Sequence, residues 1–138
     1  MVVWLGCQES LRGIDMNWND YLNFSKTEFD CKHTGENRMR PEFLEVLQQI
    51  RTTLGRPMVI SSGYRSPSHP VEAAKDKAGE HTYGVAADIK GDRLFLLDLI
   101  VVAYGYGIRR IGINFDQGFV HLGIGDRELN FPSVPWTY

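Results

Sequence analysis

Cysteine is nearly absent from this chain: Cys7 and Cys31 are the only two in 138 residues. They form no CxxC pair and are too few for a disulfide framework, so synthesis in a reducing cytosol is expected. Long apolar runs are missing too. None approaches the ~20 residues that span a bilayer. The apolar head MVVWLG is too short for a signal peptide and lacks a basic flank. No stable membrane association is therefore expected. An excess of positive charge is also lacking. Fifteen Lys and Arg stand against 17 Asp and Glu, a formal net charge of −2. Without a basic stripe, nucleic acid is not an expected partner. Internal repeats and low-complexity tracts are absent, and the length suits one domain with a real core.

What is present reads as an alternation of short elements. Ser25 and Glu28 have the spacing of a capping box, which starts a short helix. RPEFLEVLQQIRTTLGRP is an amphipathic helix. Pro41 suits its first position, Phe43, Leu47, Ile50 and Leu54 share a face, and Gly55 and Pro57 end it. MVISSGYR and VAADIKG read as strands. Between them lies a long polar loop, and loops of that length tend to carry function. DRLFLLDLIVVAYGYG reads as a second helix with Asp92 as its N-cap; it is apolar nearly all round and is expected to be buried. IRRIGINF and GFVHLGIG read as a hairpin joined through DQG. The tail NFPSVPWTY reads as irregular. Helix, strand, strand, helix, hairpin implies an α+β single domain, with a largely antiparallel sheet and helices packed on it.

The segment GEHTYGVAADIK holds His81 and Asp88 seven positions apart. On one helix they would be about 10 Å apart; on one straight strand they would point to opposite faces. They meet only if the chain bends, and Gly84 supplies a bend. That puts His81 on a loop and Asp88 on the following strand. In GFVHLGIG, Val120, Leu122 and Ile124 alternate onto a core face, while Phe119, His121 and Gly123 fall on the other. Two histidines and one carboxylate on neighbouring elements match a catalytic zinc set that keeps its fourth position for water. Spacing alone leaves the plainer reading open: a locally paired Asp88 and two satisfied histidines.

The blocks SSGYRSPSHP, GEHTYGVAADI and FVHLGIG, in this order, resemble the zinc D-alanyl-D-alanine carboxypeptidase family. That family includes phage L-alanyl-D-glutamate endolysins and shares its fold with the hedgehog signalling domain. EFDC at 28–31 and WTY at 136–138 resemble its small phage and prophage versions. The resemblance covers residues 23–138, the expected peptidase domain, and leaves 1–22 as an N-terminal extension. It implies Zn²⁺ as cofactor, with His81, Asp88 and His121 as metal ligands. It also implies Arg65 as the arginine that stabilises the oxyanion, through a fixed fork of donors. Many relatives carry an acid two residues after the third ligand, where this chain has Gly123. Asp116, the nearest acid upstream, is then the candidate general base, and Asp126 is the nearest acid downstream. Ser62, Tyr83 and Phe119 are candidate substrate-binding residues. Glu72 and Glu80 are loop acids that suit the orientation of a ligand histidine. Cys31 and His33 are two ligand types, too few for a second metal site.

The resemblance implies a monomeric zinc metallopeptidase acting on the peptide stem of bacterial peptidoglycan. It further implies a chain made in the cytoplasm without a signal peptide, acting on the wall after release from a phage-infected host or as part of a virion. The rival reading is a catalytically impaired zinc-containing module that binds peptidoglycan or serves as a phage structural part, because the acid at position 123 is gone.

Overall fold

The computed structural model describes residues 16–125, 128 and 130–138. Cys7, Asp126 and residues 1–15 of the expected N-terminal extension lie outside them. Within 16–22, Tyr21 is buried in the core and the Trp18 ring lies 5.4 Å from that of Phe29.

The described residues form four α-helices and five strands: α1 (Lys26–Phe29), α2 (Pro41–Leu54), β1 (Val59–Ser62), α3 (Pro70–Ala73), β2 (Ala86–Lys90), α4 (Arg93–Gly105), β3 (Arg110–Asn114), β4 (Phe119–Gly123) and β5 (Trp136–Thr137). Short 3₁₀ turns cover Trp18–Asp20 and Glu80–Tyr83. The strands form one sheet in the order β1-β2-β4-β3-β5, antiparallel throughout except for β3 and β5. The α+β architecture expected from the element order is the one observed.

Local chemistry accounts for the elements. Ser25 and Glu28 close a capping box on α1. Pro41 opens α2, and Gly55, at φ +65°, ends it in the left-handed conformation that glycine adopts without strain. Asp92 Oδ1 accepts the Phe95 N–H at 2.8 Å and caps α4. Phe43, Leu44, Leu47 and Ile50 are fully buried along α2, each stabilising the fold by about 1.5–3 kcal/mol. Helices α2 and α4 pack on each other, and α4 also packs on β4.

Two expectations need correction. Helix α4 is not buried all round: Leu94, Leu97, Val101 and Tyr104 are exposed, while Leu96, Leu99 and Ala103 are fully buried. A helix lying on one face of a single sheet has only one face to bury, whatever its composition. The tail is not wholly irregular either. Trp136 and Thr137 pair in parallel with Gly112 and Ile113. Among the described residues, no helix is long and apolar enough to cross a membrane.

Candidate metal centre and cleft

Register places the site. Ser62 pairs with Asp88, Asp88 with His121, His121 with Gly112, and Gly112 with Trp136. Directly opposed residues share a face of the sheet, so one row crosses all five strands. The alternate residues Ala87, Ile89, Ile111, Val120 and Leu122 form the core face. His81 reaches the row from the 3₁₀ turn. Gly84 ends that turn at φ +71°, and a β-carbon there would collide with the Arg38 carbonyl. The bend between His81 and Asp88 thus depends on a residue without a side chain.

His81, Asp88 and His121 are buried, and their candidate ligand atoms lie within 4.8 Å of one another. Each imidazole is held from behind. His81 Nδ1 donates to the Gly63 carbonyl at 2.7 Å, leaving Nε2 to face Asp88 Oδ1 at 3.3 Å. His121 is turned the other way: Nε2 donates to Glu80 Oε1 at 2.8 Å, and Nδ1 faces the same Asp88 oxygen at 3.1 Å. With the outer nitrogens carrying hydrogens, two nitrogen lone pairs and a carboxylate oxygen converge. Two imidazoles with one carboxylate are a donor set that suits zinc.

Burial and mutual hydrogen bonds shift all three groups. Burial is the largest influence on all three groups. It takes His81 below its usual pKa, in spite of Asp88. Burial would also lower His121, but the Asp88 and Glu80 carboxylates together carry it above its usual value. Burial would raise Asp88, but hydrogen bonds to His121 and His81 hold it well below the carboxylate range.

Arg65 lies beside this group. Its Nη2 donates to Asp88 Oδ2 at 3.3 Å, its Nη1 to Glu72 Oε2 at 3.2 Å and its Nε to Ser62 Oγ at 3.1 Å. Glu72 is buried beneath the cleft. Burial raises its pKa, but the Gly79 N–H, Lys75 and Arg65 outweigh burial and lower it to about 2. Arg65, Lys75, Arg110, Phe119, Trp136 and Tyr138 join the metal-centre residues around a cleft of about 380 Å³. The Trp136 ring lies 5.1 Å from that of His121, tilted to it by 52°. Gly112 leaves it room, since a β-carbon there would stand 2.6 Å from the indole.

The candidates named from sequence do not all gather here. Phe119 lines the cleft. Ser62 acts on Arg65 and is not part of the cleft wall. The Tyr83 ring packs 5.8 Å from that of Phe131. Asp116 requires correction as a candidate base. It sits in the β3–β4 turn with its side chain 94% exposed, pairs with Arg93 at 3.3 Å, and lines a hollow with Asn114 and Thr137 on the far side of Tyr138 from the metal-centre residues. The turn carries it away from the row. The acid that does touch the row, besides Asp88, is Glu80. Its bond to His121 joins residues 41 positions apart, a proximity no local pattern reports. Cys31 accepts the Ser66 N–H through Sγ at 3.3 Å and tethers the EFDC segment to the SGYRSP block.

A family model described as peptidase M15 matches residues 20–123, from the turn before α1 to the end of β4. The chain belongs to the peptidase M15 family. Peptidases of this family are zinc-dependent, and the buried His–Asp–His group is where this M15 chain could hold the ion. No curated protein matches the chain.

Proposed function

We propose that this M15 peptidase hydrolyses an amide bond in the peptide stem of bacterial peptidoglycan, with His81, Asp88 and His121 holding zinc. The observation that carries the reading is the convergence of three donor atoms whose outer partners are already fixed, with Arg65 on the same wall. Zinc held there would supply Lewis acidity and make water a nucleophile near neutral pH.

The chain's own residues do the rest. Glu80 and the Gly63 carbonyl orient the two imidazoles. Glu72 and Ser62 hold the Arg65 guanidinium rigid. Arg65 offers donors to the negative charge that develops on the carbonyl oxygen of the scissile amide, a role worth about 10²–10³ in rate for a single well-placed donor. Phe119, Trp136 and Tyr138 form an aromatic wall that excludes water and receives the side chains of a peptide. A stem peptide suits this cleft, because Arg65, Lys75 and Arg110 line it and would oppose the peptide's carboxylates. Action on the wall after release from a phage-infected cell is the setting we favour.

The test is incubation of purified, zinc-loaded protein with peptidoglycan and mass spectrometry of the products, with His81→Ala as control. New stem-peptide fragments that vanish with the variant are expected, and their masses name the bond. One zinc per chain and bound muropeptide without fragments would overturn the hydrolase and favour the binding module.

A further inference from the structure

We propose that Glu80 is the positioning residue of His121, and that the missing side chain at Gly123 is the condition for it. The proposal rests on the reading that His121 holds the metal. Three donors fix the Glu80 carboxylate. Oε1 accepts from His121 Nε2 and from Arg110 Nε, and Oε2 accepts the Gly125 N–H at 3.1 Å. The side chain is 1% exposed, so the carboxylate is fully committed to these partners.

Its location is set by an absence. Residues 121 and 123 lie on the same face of β4, two positions apart. A β-carbon at 123 would stand 2.6 Å from the Glu80 carboxyl carbon. The carboxylate therefore fills the volume that a side chain at 123 would take. The negative charge beside His121 comes from the 3₁₀ turn before Asp88 rather than from β4 itself.

The chemical consequence follows from the partner atoms. A carboxylate on Nε2 keeps the hydrogen there and leaves Nδ1 bare towards Asp88. It also fixes the ring plane and makes Nδ1 a better donor to a metal. Arg110 balances the charge and is itself held. Its guanidinium lies 4.7 Å from the Trp136 ring and 5.3 Å from that of Phe131, and Nη1 donates to the Pro132 carbonyl at 3.0 Å. The orientation of His121 is thereby linked to the tail that carries β5.

The experiment measures zinc affinity by chelator competition, and the visible absorption of the cobalt-substituted protein, in full-length chains. Glu80→Ala is expected to weaken zinc binding about 10- to 100-fold and to change the cobalt spectrum. Glu80→Gln keeps the shape and one acceptor, so it is expected to fold and to show a smaller loss. Gly123→Asp alone sets two carboxylates in one volume and is expected to lose affinity. The Glu80→Ala/Gly123→Asp double variant returns a carboxylate to that volume and is expected to regain most of it. Unchanged affinity and spectrum in folded Glu80→Ala or Glu80→Gln would overturn the positioning role. Failure of the double variant to recover would overturn the exchange with Gly123. Unchanged zinc affinity in His121→Ala would instead remove the metal-site reading beneath both.

Discussion

The two faces of the same strands solve different problems. On the core face, Ala87, Ile89, Val120 and Leu122 are buried against helices and need only shape. On the other, Asp88 and His121 are also buried but carry polar atoms, and each such atom has a named partner. Among the described residues, no buried side-chain nitrogen or oxygen lacks one. The apolar face can lose volume and still fold, at a cost set by the cavity. The polar face is weakened by the loss of a single partner, because a buried charge or lone pair is then left uncompensated. One cost scales with volume; the other is set by the loss of one specific partner.

The sharpest way to test that contrast is Asp88→Ala, which removes the atom that both imidazoles face. Loss of stoichiometric zinc binding and a fall in kcat/KM of at least about 10³ are expected, equivalent to ~4 kcal/mol. Equilibrium dialysis and peptide-release assays read both. Leu122→Ala, one residue beyond His121 on the opposite face, should cost about 2–5 kcal/mol in denaturant unfolding. Zinc stoichiometry should stay at that of the wild type. A Leu122→Ala protein that folds well but binds no zinc would show the two faces to be coupled.

Glu72 offers a test by pH. Its carboxyl lies at about 2 in the folded protein against an ordinary 4.5. The folded value is the lower one, so the stabilisation is present above ~4.5 and is lost as pH falls towards 2. The displacement corresponds to about 3 kcal/mol. Unfolding free energies of wild type and Glu72→Gln should therefore converge between pH 5 and 2. A constant gap would mean that the Glu72 charge is not what holds Arg65 and Lys75. The smallest effect is expected from Asp116→Ala. With its exposed ion pair to Arg93, it should leave kcat/KM within about twofold. A large loss there would return Asp116 to the machinery.

How far the sequence was legible follows the same division. Helix α2 could be read because Phe43, Leu47 and Ile50 repeat at helical spacing against a polar opposite face. The alternation around His121 could be read because β4 is polar on one side only. Helix α4 gave no face to read, since Leu94 and Leu97 outside look like Leu96 and Leu99 inside. At the site, the bend at Gly84 was visible, as was Gly123 as a departure from its relatives. Glu80 was visible as an acid suited to orienting a histidine, but its meeting with His121 in particular was not, because it depends on how a 3₁₀ turn crosses the end of a strand. Asp116 drew attention through nearness along the chain, yet a hairpin turn directs such residues to solvent. The strand that carries Trp136 into the cleft wall went unread, because two residues of parallel pairing leave no periodicity.

The cross-strand row also makes the centre a gauge of folding fidelity. Asp88 and His121 oppose each other only in the native pairing of β2 with β4. A slip of one residue would set Val120 or Leu122 beside Asp88 and drive the imidazole into the apolar layer. Misregistered chains could bury as many strand residues, yet they would have no means of retaining the ion. Metal retained per molecule thus counts correctly registered sheets, and a chelator challenge during refolding would separate them from near-native impostors.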